Sequence, residues 1–257
     1  MIEANQKAHG NPPPRSGGGA RGLGLVSNET TVPRQSIILD NKAQRLRRMK
    51  CVVGHSARLL HFSAHGERAA RRWNLKLVTL TYRPGVRWQR EHVSYFVRRL
   101  RKWCEQSGVR CRFVWVAELQ KRGVIHYHVV LWLPRGLFFT APDRCGWWPH
   151  GMSNVKSVRS SAVGYLLKYA SKCESKDVGR FPKGARLYGA GGLSSEDRRH
   201  VRYWRAPFWV RDALTGLADI RKVVGGYVDA VTGEFLRSPW RVVCRHGVWC
   251  AEIGDWS

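Results

Sequence analysis

The sequence predicts an α+β fold: a central antiparallel β-sheet flanked by helices, with a disordered arm before it. Three observations predict it. Leu75-Lys-Leu-Val-Thr-Leu-Thr-Tyr82 alternates apolar and polar residues as a half-buried strand does. Arg112–Leu119 and Ile125–Leu133 are two β-rich runs separated by a short turn, which makes them an antiparallel hairpin. Trp88–Cys104 repeats its apolar residues at helical spacing, as does the stretch after Ser160 and Ser161.

Taken in order, residues from Met1 to about Lys50 are rich in Gly, Pro, Asn, Ser and Arg, and Pro12-Pro-Pro-Arg-Ser-Gly-Gly-Gly19 cannot build a core. This segment reads as a basic arm, either a source of non-specific DNA affinity or a tolerated extension. Val52–Trp73 reads as a helical approach to the first strand, Leu75–Tyr82, which Pro84-Gly85 ends. In the helix Trp88–Cys104, Val93, Phe96, Val97, Leu100, Trp103 and Cys104 share one face, and Arg98, Arg99, Arg101 and Lys102 lie largely off it. The hairpin follows, then a loop over 135–153 and a short strand at Val155–Val158. Ser160 or Ser161 is placed to cap the next helix. Beyond a Gly-rich basic stretch, the segments Val201–Val210, Gly226–Leu236 and Val242–Ile253 look β-like, with Thr232-Gly233 as a hairpin turn. The expected organisation is therefore a disordered basic arm over 1–50, a main domain over 51–178, and a basic C-terminal extension with β-hairpins over 179–257, either separate or packed on the same domain.

The 257 residues suffice for one sizeable core, and a formal net charge of +27 calls for a polyanionic partner. No apolar run approaches the roughly 18 residues of a membrane span, so nucleic acid is favoured over a membrane. A ribosome-type basic protein has the same charge signature. The seven cysteines are scattered, with no C-x-x-C pair, which argues against a disulfide scaffold or structural zinc site. Many of the twelve tryptophans have basic neighbours, a pattern able to stack unpaired bases, though any single one is more often core. No G-x-x-x-x-G-K-[ST] motif is present, so the sequence carries no sign of an ATP-driven helicase.

The chemistry concentrates in two places. His126 and His128 stand one residue apart in Arg122-Gly-Val-Ile-His-Tyr-His-Val-Val-Leu-Trp-Leu133. Side chains alternate along a strand, so both imidazoles point to one face, with Cα atoms roughly 7 Å apart. Ile125, Tyr127, Val129, Leu131 and Leu133 form the opposite, apolar face. Such a pair alone is more often structural than ligating, and a third donor is needed to hold a catalytic ion. Glu118 is that candidate. A three-residue turn at Lys121–Gly123 sets it opposite His126 on the same face; a four-residue turn would send it to the other. This donor set suits Mn²⁺, Mg²⁺ or Zn²⁺, with Mg²⁺ or Mn²⁺ the better match to phosphodiester chemistry.

The second place is Gly164-Tyr-Leu-Leu-Lys-Tyr-Ala-Ser-Lys172. At about 100° per residue, Val163, Leu166, Leu167 and Ala170 cluster on one side of a helix, and Tyr165, Lys168, Tyr169 and Lys172 on the other. The tyrosines are i, i+4 neighbours able to reach one site. Either can serve as a nucleophile, with Lys168 and Lys172 favouring the phenolate or holding a phosphate. A solvated basic face that grips DNA backbone is the competing reading. Lys121, Arg122, Lys156, Arg159 and Trp148 are the candidate DNA contacts.

Leu77–Thr81, Glu118 with Arg122–His128, and Tyr165–Lys172, in that order, resemble the rolling-circle replication initiators of the HUH endonuclease superfamily, in the two-tyrosine form of small phages and plasmids. The resemblance spans Leu75–Lys172; Tyr127 departs from it, standing where an aliphatic residue is common. It implies an RRM-like sheet with the histidines on a central strand. It also implies a DNA endonuclease and strand transferase that uses a divalent metal and leaves a 5′-phosphotyrosine and a free 3′-OH. The implied partners are single-stranded or supercoiled origin DNA and a host helicase and polymerase, in a bacterial cytoplasm. A transposase of the same superfamily shares this chemistry. A non-catalytic nucleic-acid-binding protein is the alternative of a different class.

Overall fold

A computed structural model describes residues 36–66, 73–120, 123–158, 162–172, 181–214 and 216–253, all within the unit Gln35–Ser257. Its main sheet is built from β2 (Trp73–Tyr82), β3 (Arg112–Leu119), β4 (Ile125–Pro134), β5 (Gly151–Val158) and β6 (Tyr188–Gly191), in the order β5-β2-β4-β3-β6. Every neighbouring pair is antiparallel. The histidine strand β4 therefore lies at the centre, and both its faces are covered from Ile125 to Leu133.

One face is closed by α2 (His92–Gln106), whose Val93, Phe96, Leu100 and Cys104 are buried, as the periodicity predicts. Its anchor is polar as well as apolar: Tyr82 Oη and His92 Nδ1 are 3.1 Å apart, and Trp88 Nε1 donates to Tyr127 Oη at 2.8 Å. The other face takes α1 (Asn41–Gly66) and α3 (Ala162–Lys172), which pack on each other and on β3 and β4. Trp132 Nε1, on this face of β4, donates to His61 Nδ1 of α1 at 3.3 Å.

The arm expected over 1–50 overlaps this folded structure. Ser36–Ile38 form β1, and α1 starts at Asn41 because Asp40 caps it, its Oδ1 accepting from the backbone N of Lys42 (2.8 Å) and Ala43 (3.0 Å). Leu46 and Met49, inside the expected arm, are buried and continue a stripe through Val53, Ala57, Leu60 and Ala64. Residues 1–35 lie outside the described residues, as do Ser160 and Ser161 with the cap expected of them.

The C-terminal region differs most from expectation. Val201–Val210 is not β-like: α4 (Ser195–Arg205) and α5 (Phe208–Ala213) occupy it. Val201, Tyr203 and Trp209 imitate strand alternation, but the Ser194 side chain accepts from Asp197 N while the Asp197 carboxylate accepts from Ser194 N, a capping box that starts a helix. The hairpins are present as β7 (Ile220–Val223), β8 (Gly226–Asp229) and β9 (Phe235–Arg237), and as β10 (Trp240–Arg245) with β11 (Val248–Ile253), to which β1 adds. Thr232-Gly233 does lie in the β8–β9 turn, where Gly233 N donates to Asp229 O at 2.8 Å.

The region after residue 178 also completes the main sheet, through β6. Here Trp115 and Phe113 of β3 lie flat over Gly189 and Gly191, so close that a Cβ on Gly189 would sit 2.5 Å from the Trp115 ring. Gly189→Ala is expected to destabilise the fold by about 1–3 kcal/mol through overpacking, read as a lower urea midpoint with unchanged m-value. No helix among the described residues is long and apolar enough to cross a membrane. The six described cysteines are all free, and Cys173 lies outside the described residues.

Candidate active site

The register of the β3–β4 hairpin decides whether a site forms at all. Gln120 N donates to Val124 O at 2.9 Å and Gly123 N to Gln120 O at 2.8 Å, closing a three-residue turn in which Gly123 has φ 79°. Only glycine takes that conformation without cost, so the Gly sets the turn length and the turn length sets the register. Glu118 thus pairs with His126, and Val116 with His128. Glu118, His126 and His128 share one face of the sheet, together with Thr79 and Thr81 of β2.

On that face Glu118 Oε2 lies 2.6 Å from His128 Nε2. With Nε2 donating to the carboxylate, Nδ1 is left as an acceptor, and Thr79 Oγ1 faces it at 3.4 Å, a long hydrogen bond. Thr79 has no role in the sequence reading, although strand alternation alone puts it on this face. Thr79→Val is expected to free the His128 imidazole to rotate, checked by broadening of its ring resonances in NMR spectra.

The helix α3 delivers its tyrosines here. Leu166 and Ala170 are fully buried, and Leu167 touches α1 at Gly54, where a Cβ would lie 3.5 Å from Leu167 Cδ2. With its leucine side committed to α1, the helix turns Tyr169 onto the sheet. The Tyr169 ring stacks on His128 with centroids 3.6 Å apart and 20° between planes. Tyr165 Oη is 3.0 Å from Tyr169 Oη. Both tyrosines are half-buried and Lys168 is exposed. Burial first, then the hydrogen bond to Tyr165 and the negative charge of Glu118, push the Tyr169 phenol above its ordinary value. The sequence suggests lysines that favour a phenolate; the influences acting on Tyr169 here favour the neutral phenol.

The donor chemistry is compatible with a hard divalent ion: two imidazoles and a carboxylate on one face of the sheet. Among the described residues, however, no three His, Cys, Asp or Glu side chains are gathered into a metal-holding group. The His126 and His128 rings are 6.4 Å apart, and the Glu118 oxygen and His128 nitrogen that would serve as donors are hydrogen-bonded to each other.

The remaining site candidates fall differently. Lys156 is exposed on β5, on the same face as Thr79 and beside exposed Asn154 and Met152, so the face continues past His128 as an open polar shelf. Trp148 is not a DNA contact. It is fully buried, donates from Nε1 to Thr81 O at 3.1 Å, and sets its edge against Tyr82 and Tyr127. Trp148→Ala is expected to cost about 3–5 kcal/mol of stability, measured by chemical denaturation. Lys121, Arg122 and Arg159 lie outside the described residues, and so does the side chain of Lys172.

A strongly basic α+β protein, with a histidine–glutamate cluster on its central hairpin and two tyrosines brought to it by one helix, is the class that fold and site define. Residues 75–174 match the model of a family of replication-associated proteins, the ORF2 type. The match begins in β2 and ends just past α3, so it takes in every residue of the site, and it supports a replication initiator. No curated protein and no solved structure matches the chain.

Proposed function

We propose that the protein starts rolling-circle replication by nicking one DNA strand and later rejoining it through a 5′-phosphotyrosine, in the manner of the two-tyrosine HUH endonucleases. The observation that carries this reading is the stack of Tyr169 on His128, with Glu118 bonded to the same imidazole and Tyr165 within hydrogen-bond distance of Tyr169.

In the proposed step a tyrosine oxygen attacks the phosphorus of the scissile phosphodiester. The P–O3′ bond breaks, the new P–O(Tyr) bond forms, the phenol loses its proton and the departing 3′ oxygen gains one. One phosphodiester bond replaces another, so a reversal would seal the strand without ATP. Glu118, His126 and His128 would hold Mg²⁺ or Mn²⁺ once the Glu118–His128 hydrogen bond opens, and the ion would supply Lewis acidity for the phosphodiester. Thr79 and Glu118 fix the rotation of the His128 ring, and that ring in turn fixes Tyr169 by stacking. The hydrogen bond between the hydroxyls lets one tyrosine relay a proton to the other, and gives a second nucleophile for resolving the finished circle. In this reading the exposed Asn154 and Lys156 would carry the single strand. Origin DNA, a host helicase and a host polymerase are the proposed partners.

Incubating the chain with a library of labelled single-stranded oligonucleotides and Mn²⁺, followed by denaturing electrophoresis, tests the reading. A covalent adduct that EDTA prevents is expected. Loss of Tyr165 and Tyr169 with full retention of DNA nicking would point to metal-dependent hydrolysis instead.

A further inference from the structure

A cavity lies away from the tyrosines, between α4 and β7. It has a volume of about 510 Å³ and is lined by Ser195, Glu196, Arg198, Arg199, Arg202, Asp219 and Arg221. Four guanidinium groups face two carboxylates there, a surplus of positive charge in one concavity.

The charges are held in place. Arg202 donates to Asp219 Oδ1 from Nε at 3.1 Å and from Nη2 at 2.5 Å, and Arg221 Nη2 donates to Asp219 Oδ2 at 3.2 Å. The Asp219 backbone N donates in turn to Asp229 Oδ1 at 3.1 Å, so one carboxylate, fixed from behind, orients two arginines. Arg198 Nη1 donates to Leu193 O at 2.8 Å. Arg199 is half-buried, and its Nε is buried without a hydrogen-bond partner.

No aromatic or aliphatic side chain lines the cavity, so nothing in it holds a base or an acyl chain. Bidentate guanidinium groups match phosphate oxygens. The whole chain carries +27 charges, which directs a polyanion rather than a lone ion to such a pocket. The helix α4 also packs on α1, and α1 packs on the tyrosine helix α3, so a strand gripped here lies against the elements that carry the nucleophile.

We propose that Arg198, Arg199, Arg202 and Arg221 form a grip for the backbone phosphates of duplex DNA flanking the cut strand. The identity of the polyanion rests on the nicking reading; the presence of the grip is measured without any cleavage. Binding of the full chain to a short fluorescein-labelled DNA duplex is followed against NaCl concentration for wild type and for Arg198→Ala/Arg199→Ala. The variant should bind at least tenfold more weakly at low salt. The slope of log K against log[salt] should fall by about 2, since each phosphate no longer neutralised removes about 0.9. Arg198→Lys/Arg199→Lys, which keeps charge and fold, should retain most of the slope, and adduct formation on a short single strand should be unchanged in both variants. A duplex affinity and salt slope equal to wild type in the Ala variant would overturn the proposal. So would a loss of thermal stabilisation by inorganic phosphate with duplex binding intact, which would give the cavity to a free anion. Failure of the nicking reading shows separately, as absence of an adduct from the wild-type chain.

Discussion

Replacing Tyr165 and Tyr169 together by Phe should abolish covalent adduct formation while leaving DNA binding near wild type. Phe keeps the ring that stacks on His128 and the partial burial on α3, so the fold is expected to hold. What goes is both oxygens, 3.0 Å apart on the helix face that stacks on His128. No adduct should be detected, corresponding to a loss of about 10³-fold or more, since removing a nucleophile removes the whole covalent route. The single variants separate the roles. Tyr169→Phe should be the more damaging for the first cut, because Tyr169 contacts His128 directly, whereas Tyr165→Phe should impair resolution of the circle more than initial nicking. Both are read by denaturing gels that resolve adduct from released strand.

The second large effect is expected at the acidic member of the cluster. Glu118→Ala removes a ligand candidate and at once strips His128 Nε2 of its 2.6 Å partner. Lewis-acid stabilisation is worth several kcal/mol, and about 3 kcal/mol is already more than a hundredfold in rate. Cleavage should fall by at least about 10², with the Mn²⁺ concentration needed for half-maximal rate rising. His126→Ala should behave alike. Glu118→Gln is the informative control: it preserves shape and a hydrogen-bond acceptor but not charge. Nearly full activity in Glu118→Gln would remove Glu118 from the ligand set. A loss as deep as that of the Ala variant supports its charge as the working property.

Much of the site was legible in the chain because it depends on short-range rules. Strand alternation puts His126 and His128 together, and a glycine-closed three-residue turn puts Glu118 beside them. Helical periodicity splits Tyr165 and Tyr169 from Leu166 and Ala170, and the burial of the latter pair follows that split. What escaped depends on tertiary context. Trp148, in a loop with Trp147 and Pro149, reads as a candidate DNA contact, but its ring is buried against Tyr82 and its Nε1 donates to the backbone carbonyl of Thr81. The strand β5 begins at Gly151 rather than Val155 because the edge of β2 is open to pair with it, which local alternation could not reveal. The β6 segment is short and glycine-rich; only the aromatic rings of β3 lying over it explain why it is a strand. A threonine in a strand carries no signal of its own; only the pairing that sets Thr79 opposite His128 gives it a place in the site.

The opposing push on Tyr169 also bears on mechanism. Burial, its hydroxyl partner and Glu118 all favour the protonated form. On the proposed nicking function, positive charge brought to the cluster would be needed to draw the proton from Tyr169.

The most direct test of the account is to trap the adduct and find its position. Trypsin cuts after Lys168, which puts Tyr165 and Tyr169 on different peptides. Mass spectrometry of the digested adduct should show nucleotide linked through a 5′-phosphate to the peptide bearing Tyr169 or the one bearing Tyr165, and to no other. Attachment at any other residue, or nicked DNA with no attached peptide, would contradict it.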